Sequence, residues 1–182
     1  HIWLRSDHRT EDPLADRVEE RLLDLLRARS HWLVEDLTAE LYATFGGSVS
    51  PEPEFITACI AAYTEAAAAG LLTLRTEDEP ARRRSEMQQM RSLVQALGER
   101  LGYDVSRRLG GDSVWKEERQ ESYLFRCTTT AVLGPHLLKP PPACDGQRCL
   151  IIPGGRAALV ALKLRRDPRL SALARENRWA FV

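Results

Sequence analysis

Residues 149–164, CLIIPGGRAALVALKL, decide how the second half of this chain is expected to fold. An apolar run stops at Pro153, two glycines follow, and Arg156 opens a stretch with helical spacing. A strand, a glycine turn and a helix N-terminus are the parts of an anion-binding site, because the first amides of a helix lack backbone partners. The same pattern also fits a tight turn that holds no ligand, and the sequence leaves both interpretations open.

Basic residues surround this turn. Arginine suits phosphate oxygens because its planar guanidinium donates two parallel hydrogen bonds. We therefore predict a surface that contacts the backbone of nucleic acid, with double-stranded DNA as the expected partner, without recognising the base sequence. The residues predicted to form it are Arg82, Arg83, Arg84, Arg107, Arg108, Arg156, Lys163, Arg165 and Arg166. The alternative is that these side chains pair with acidic residues elsewhere or face water.

Charge is unevenly distributed along the 182 residues, although the formal net charge is zero. Residues 1–80 carry 7 Lys and Arg against 16 Asp and Glu, and residues 81–182 carry 19 against 10. Such a split indicates two parts with different contacts, and it also allows the parts to attract one another. No apolar run approaches the roughly 18 residues of a membrane-spanning helix, and the opening residues lack the pattern of a secretory leader. We expect a cytoplasmic protein without a membrane partner, and we treat the chain as a fragment cut at its final predicted strand, RWAFV.

Residues 1–79 are predicted to form an acidic winged helix-turn-helix domain. Apolar residues recur every three or four positions over 12–29, 32–45 and 51–69, and the alternating stretch LLTLRTEDE follows Gly70 as a strand. The third helix of such a domain usually enters the major groove of DNA. Here its outward positions offer no Arg, Lys, Asn or Gln, and they include Glu52, Glu54 and Glu65. We therefore expect the winged helix to contact a protein partner or a second copy rather than bases.

Residues 80–182 are predicted to form a basic α/β domain. A helix over 82–101 carries an apolar series, Met87, Met90, Leu93, Val94, Leu97 and Leu101. Strands follow in YDVSRR, DSVWKEE, SYLFRCTTTAVL and RCLIIP, with a helix after Gly155, a short helix over 168–176 and the last strand. This order predicts an α+β protein with a small mixed sheet.

Three segments of this half, ALGERLGYDVSRR (96–108), GGDSVW (110–115) and YLFRCTT (123–129), resemble the core of restriction-endonuclease-like domains. A winged helix before such a core resembles modules of bacterial restriction, modification and phage-defence proteins. The resemblance implies an α/β sandwich whose second strand offers an acidic residue and whose third strand offers Glu-x-Lys or Asp-x-Lys. Hard oxygen ligands of this kind hold magnesium, and the lysine positions the attacking water.

The catalytic pattern is incomplete in this chain. Asp112 matches the acidic position, but Leu124, Phe125 and Arg126 stand where Glu-x-Lys is expected. We therefore expect no catalytic activity and no cofactor within this segment. An active nuclease with a non-standard site would use Asp112, Glu117 and Lys163 with magnesium, and Glu118 or Glu121 could also substitute.

Two further questions stay open in the sequence. Cys144 and Cys149 lie close together in CDGQRC, with His136 as the nearest histidine. Zinc sites need two such pairs or a pair with suitably spaced histidines, so ordinary reduced thiols are the expected state. The function predicted first is a non-catalytic DNA-binding or regulatory module of a larger bacterial DNA modification, restriction or defence protein. The alternatives are a protein-interaction or dimerisation module using the winged helix, and a metal-dependent nuclease.

Overall fold

The first part of the chain is a set of three helices followed by a β-hairpin. The computed structural model describes residues 12–45, 50–117, 120–140 and 142–182, with the backbone alone for Gln120 and Glu121. The helices are α1 (Leu14–Ala28), α2 (Val34–Thr44) and α3 (Pro53–Tyr63), and the hairpin strands are β1 (Thr64–Ala66) and β2 (Leu72–Leu74). Trp32, between α1 and α2, forms an isolated bridge to Leu72 and adds a third short segment beside the hairpin.

The third helix is shorter than its sequence predicts. The alanines up to 69 favour a helix locally, but α3 ends at Tyr63, and Thr64 adopts extended backbone with its hydroxyl donating to the Ile60 carbonyl at 2.8 Å. Residues 64–66 pair instead with 72–74, and this pairing outweighs the helix propensity of alanine. The turn between the strands passes through Ala69 and Gly70, both with positive φ.

The second part is a mixed five-stranded sheet with helices on both faces. Strands β3, β4 and β5 form an antiparallel meander, and β6 and β7 continue the sheet in parallel in the order β3-β4-β5-β6-β7. This confirms the predicted α+β class. The elements after the hairpin are α4 (Pro80–Arg100), β3 (Asp104–Arg107), β4 (Ser113–Glu117), β5 (Gln120–Cys127), α5 (Gly134–Leu137), β6 (Gln147–Ile151), α6 (Ala157–Arg166), α7 (Pro168–Glu176) and β7 (Trp179–Phe181).

One face of the sheet joins the first part of the chain in a common core. Val114, Leu124 and Leu150 point to the same face, since they occupy paired or alternating positions of the ladder. They belong to one hydrophobic cluster with residues of α6 and α7, and the same cluster includes the buried residues of α1, α2 and α3. The apolar core is therefore continuous across the predicted boundary between residues 79 and 80.

The opposite face carries α4 and an aromatic group. Trp115 lies 5.2 Å from Tyr103 and 4.4 Å from Phe125, measured between ring centroids. Helix α4 approaches these rings at Gly98, where an added Cβ would lie 2.6 Å from the Trp115 ring. Among the described residues, no helix is long and apolar enough to cross a membrane.

Candidate functional site

Asp112 and Arg126 form a closed ion pair beside the β4–β5 ladder. Ser113 pairs with Phe125, so the neighbouring Asp112 comes to lie next to Arg126. The Arg126 Nε donates to Asp112 Oδ1 at 2.9 Å and one Nη donates to Oδ2 at 2.6 Å, so the ion pair is bidentate. Asp112 is buried and Arg126 is about one-quarter exposed. The carboxylate that the sequence suggested for a metal is thus neutralised by the residue at the expected lysine position.

The remaining residues suggested for catalysis do not join this pair. Leu124, where the second carboxylate is expected, is completely buried in the core. Glu117 ends β4 at the far side of the strand, about 17 Å from Asp112 at the usual rise of about 3.4 Å per residue. Lys163 is buried against α1, as described below. Glu118 and the side chain of Glu121 lie outside the described residues. The described side chains do not fit a magnesium ion, because one carboxylate is already paired with arginine and the other is replaced by leucine.

The glycine turn bends tightly but directs its arginine inward. Gly155 has φ of +78°, in the region that favours glycine, and Gly154 and Gly155 are exposed. Arg156 is only 2% exposed and donates to the carboxylate of Asp78, from the first part of the chain. Its guanidinium also lies 4.3 Å from the ring centroid of Tyr63, a cation–π distance. Arg156 therefore joins the two parts of the chain and is not available to a phosphate.

Lys163 is the centre of a buried polar cluster that also contains Asp16, Glu19 and Tyr63. Its Nζ donates to Asp16 at 2.5 Å, to Glu19, and to the Ala131 carbonyl at 2.9 Å, and its side chain is completely buried. Burial acts to lower the pKa of Lys163, but the carboxylates of Glu19 and Asp16 outweigh it and hold the pKa above its ordinary value. The ammonium therefore stays charged and serves as an ion-pair donor.

Backbone amides and Tyr63 complete this cluster. The amides of Leu133 and Gly134 donate to Asp16 at 2.9 and 2.5 Å, and the Ala131 amide donates to Glu19 at 2.8 Å. The Tyr63 hydroxyl donates to Glu19. Burial, and then the negative charge of Glu19, raise the pKa of the Tyr63 hydroxyl, so it remains protonated. The two carboxylates of α1 thus hold α6, α3 and the β5–α5 loop together.

Three more of the suggested phosphate contacts pair with carboxylates. Arg83 is buried and donates to Asp78 at 2.9 Å and to Glu86 at 2.6 Å. Arg166 pairs with Glu52 and with Glu54, and Arg165 approaches Glu54 at 3.5 Å while staying 70% exposed. Glu52 and Glu54 flank the start of α3, so α6 is tied to the first turn of this helix, while its outward residues Thr57 and Ala61 stay exposed.

The other suggested residues lie at the surface. Arg82, Arg84 and Arg107 are exposed, and Arg108 is half-buried. Arg82 and Arg84 lie in the first turns of α4, and Arg107 ends β3. Of the nine residues suggested for nucleic acid, Arg83, Arg156, Lys163 and Arg166 are held in ion pairs with most of their surface covered.

The four cysteines are free thiols, and Cys59, Cys127 and Cys149 are buried. Burial raises the pKa of each of these three thiols, which lowers their reactivity. Burial, and then the charge of Arg126, lower the pKa of His136 to about 4. Among the described residues, no group of three or more His, Cys, Asp or Glu could hold a metal ion. Cys144 and Cys149 therefore do not belong to such a group.

Helix α4 carries an exposed apolar stripe for which the sequence predicted no function. We call Met90, Leu93, Leu97 and Leu101 the α4 stripe. Their side chains are 37, 60, 45 and 60% exposed, although their spacing of three and four residues places them on one side of the helix. The signal was present in the sequence, but amphipathic spacing alone does not tell whether the apolar side is buried.

The α4 stripe borders an apolar groove of about 390 Å³. One wall is formed by Met87, Met90 and Leu93 of α4. The other wall is formed by the ends of β5 and β6 and the glycine turn, with Cys127, Thr128, Ile151, Ile152, Pro153 and Gly154. The groove therefore lies on the α4 face of the sheet, away from the core shared with α1–α3.

Comparisons of the chain with protein-family models, with curated proteins and with solved structures gave no match.

Proposed function

We propose that this chain is a non-catalytic protein-interaction module, and that the α4 stripe with its groove is the interacting surface. The observation that carries the proposal is the exposure of four large apolar side chains along one side of a single helix. Contiguous apolar surface of this kind is uncommon on soluble monomers and marks interaction sites. The proposal differs from the sequence-based alternative in its surface, since the α4 stripe lies outside the suggested winged helix.

Two observations support a non-catalytic role. The Asp112 carboxylate is paired with Arg126, and Leu124 fills the core where a second ligand is expected. A magnesium-dependent nuclease needs both carboxylates free and close to water. The order of three helices and a hairpin in the first part, and the Asp112–Arg126 juxtaposition, support a winged helix before a degenerate restriction-endonuclease-like core. The context we propose is a larger bacterial DNA modification, restriction or defence protein.

The test combines association, duplex binding and nicking. We expect light scattering to detect a complex, a short DNA duplex to remain unshifted at low salt, and plasmid to remain intact with magnesium or manganese. Arg156→Glu with Lys163→Glu is not a useful DNA-binding variant, because both residues are buried in ion pairs. Plasmid nicking that is lost in Asp112→Ala would overturn the non-catalytic role.

A second candidate function is sequence-independent binding of duplex DNA. The exposure of Arg82, Arg84 and Arg107 favours it, since these arginines can reach phosphates without opening the structure. Such binding weakens steeply as salt rises because counterions are released from the DNA. A duplex shift at low salt that is lost in Arg82→Glu/Arg84→Glu, and unchanged in Arg175→Glu, an exposed arginine of α7 outside the suggested set, would establish this function in place of the first.

A further inference from the structure

We propose that the α4 stripe binds the α4 stripe of a second copy of this chain, with the two helices antiparallel. This inference rests on the proposed function and names the partner at the same surface. Helix α4 contributes few side chains to its own fold: over its 21 residues, the buried ones are Arg83, Val94 and Gly98. The helix thus presents an apolar side that the described part of the chain does not cover.

The width of the sheet leaves room for a second helix on the α4 face. Five strands about 4.8 Å apart span about 19 Å, whereas one helix with its side chains is about 10 Å wide. Helix α4 packs against β3, β4 and β5, while α6 and α7 join the core on the opposite face. The groove beside α4, over the ends of β5 and β6, is therefore the position where a neighbouring helix would lie.

The apolar spacing of α4 is complementary to itself in the antiparallel direction. Leu93 lies near the middle of the stripe, with Met90 three residues before it and Leu97 four residues after it. When two copies of α4 cross at Leu93, Met90 of each copy lies opposite the partner's Leu97. The same two-fold arrangement brings Met90 and Leu93 of each copy to the mouth of the groove, so each helix adds an apolar wall to the other's groove.

Charge also selects the antiparallel direction and a second copy as the occupant. Glu86 lies seven residues before Leu93 and Arg100 lies seven residues after it, so both lie on the stripe side of α4. Within its own chain Glu86 accepts from Arg83 at 2.6 Å, but its side chain stays 39% exposed. Antiparallel crossing at Leu93 places this carboxylate beside the partner's Arg100 as well, and it makes this contact twice. Parallel pairing would instead place Glu86 beside the partner's Glu86 and Arg100 beside the partner's Arg100, which is unfavourable.

The test is the molar mass in solution, measured by light scattering or sedimentation from low to high micromolar protein. We expect the wild-type mass to rise from 20.5 kDa toward twice that value as the concentration increases. Leu93→Glu is expected to weaken association at least tenfold, because it places two carboxylates together at the two-fold axis. The matched control is Leu109→Glu, since Leu109 is fully exposed in the β3–β4 turn and should leave association unchanged.

A double-mutant cycle tests the direction of the pair without depending on apolar substitutions. Glu86→Gln, which keeps an oxygen to accept from Arg83, and Arg100→Gln should each weaken the dimer, and the double variant should weaken it no further, because both changes remove the same contact. Wild-type protein that stays monomeric at high concentration, or single losses that add in the double variant, would overturn the antiparallel dimer. If monomeric protein also leaves duplex DNA unshifted, the dimer inference fails alone. A duplex shift or nicking removes the proposed function whatever the molar mass.

Discussion

At the scale of single residues, the buried charges that join the two parts of the chain are paired with charges of opposite sign. The ammonium of Lys163 donates hydrogen bonds to Asp16 and Glu19. The same two carboxylates also accept hydrogen bonds from backbone amides of the β5–α5 loop, and Glu19 accepts one from the Tyr63 hydroxyl. Buried charges are costly unless they are paired and hydrogen-bonded, so each member of this cluster depends on the others. The cluster is therefore a structural joint between the two parts, and its removal should lower the free energy of unfolding.

Lys163→Met tests this joint. Methionine keeps most of the side-chain volume but removes the ammonium, so Asp16 and Glu19 remain buried without their cation. Removing one partner of a buried ion pair typically costs about 3–5 kcal/mol, and we expect a loss of about this size in the free energy of unfolding. Denaturant unfolding followed by circular dichroism measures it.

The matched control is Arg165→Met, two residues along the same helix. Arg165 is 70% exposed and approaches Glu54 at 3.5 Å, so its loss should cost less than about 1 kcal/mol. Equal stabilities of the two variants would show that the Lys163 cluster does not hold α6 to α1.

At the scale of secondary-structure elements, the seating of α4 on the sheet depends on one residue without a side chain. Gly98 faces Trp115 and Val105, and an added Cβ would come within 2.6 Å of the first and 2.7 Å of the second. Both neighbours are parts of packed side chains on adjacent strands. The helix must therefore move away from the sheet to accommodate even a methyl group.

Gly98→Ala is expected to destabilise the protein by about 1–3 kcal/mol, which is the usual cost of forcing extra volume into a packed contact. Alanine would favour the helix by about 1 kcal/mol if packing were neutral, so the sign of the change separates the two effects. Thermal unfolding and the near-ultraviolet signal of Trp115 are the measurements. Ser92→Ala, at an exposed position of α4, is the control and should leave stability nearly unchanged.

Elements with local signals were predictable from the sequence. Apolar spacing located α1, α2, α4 and α6 and most strands of the sheet to within a few residues, because periodicity reflects which side of an element is buried. The third strand of the sheet was predicted to continue to Leu133, but β5 ends at Cys127. Residues 64–69 were predicted wrongly as helix, since alanine propensity is local and the pairing of β1 with β2 is not. The four-residue α5 gives no periodic signal, because it is about one turn long.

At the scale of the whole molecule, the opposite charges of the two parts meet across their contact. Asp16, Glu19 and Asp78 from the acidic part hold Lys163 and Arg156 from the basic part. The excess of each sign is visible in the sequence, and it is compatible both with phosphate contacts and with internal pairing. The sequence could not choose between them, because the burial of Arg156 and Lys163 depends on how α6 packs against α1 and α3. The Asp112–Arg126 pair likewise depends on the strand register, which the sequence does not reveal. Only the leucine at position 124, where a carboxylate is expected, can be recognised from the sequence.

Because the core is continuous and buried ion pairs cross it, we expect the two parts to unfold as a single unit. Cooperative unfolding is expected when no boundary separates two cores, so both parts should lose hydrogen-exchange protection at the same denaturant concentration. Asp78→Asn removes the charge that Arg83 and Arg156 share, and it should lower both midpoints together, with a loss of about 3 kcal/mol in the free energy of unfolding. Asp24→Asn is the control, because Asp24 is exposed and only 3.9 Å from Arg27 in a helical pair. Earlier opening of residues 12–74, with residues 80–182 still protected, would mean that the acidic and basic parts are independent domains and that their paired charges contribute little to stability.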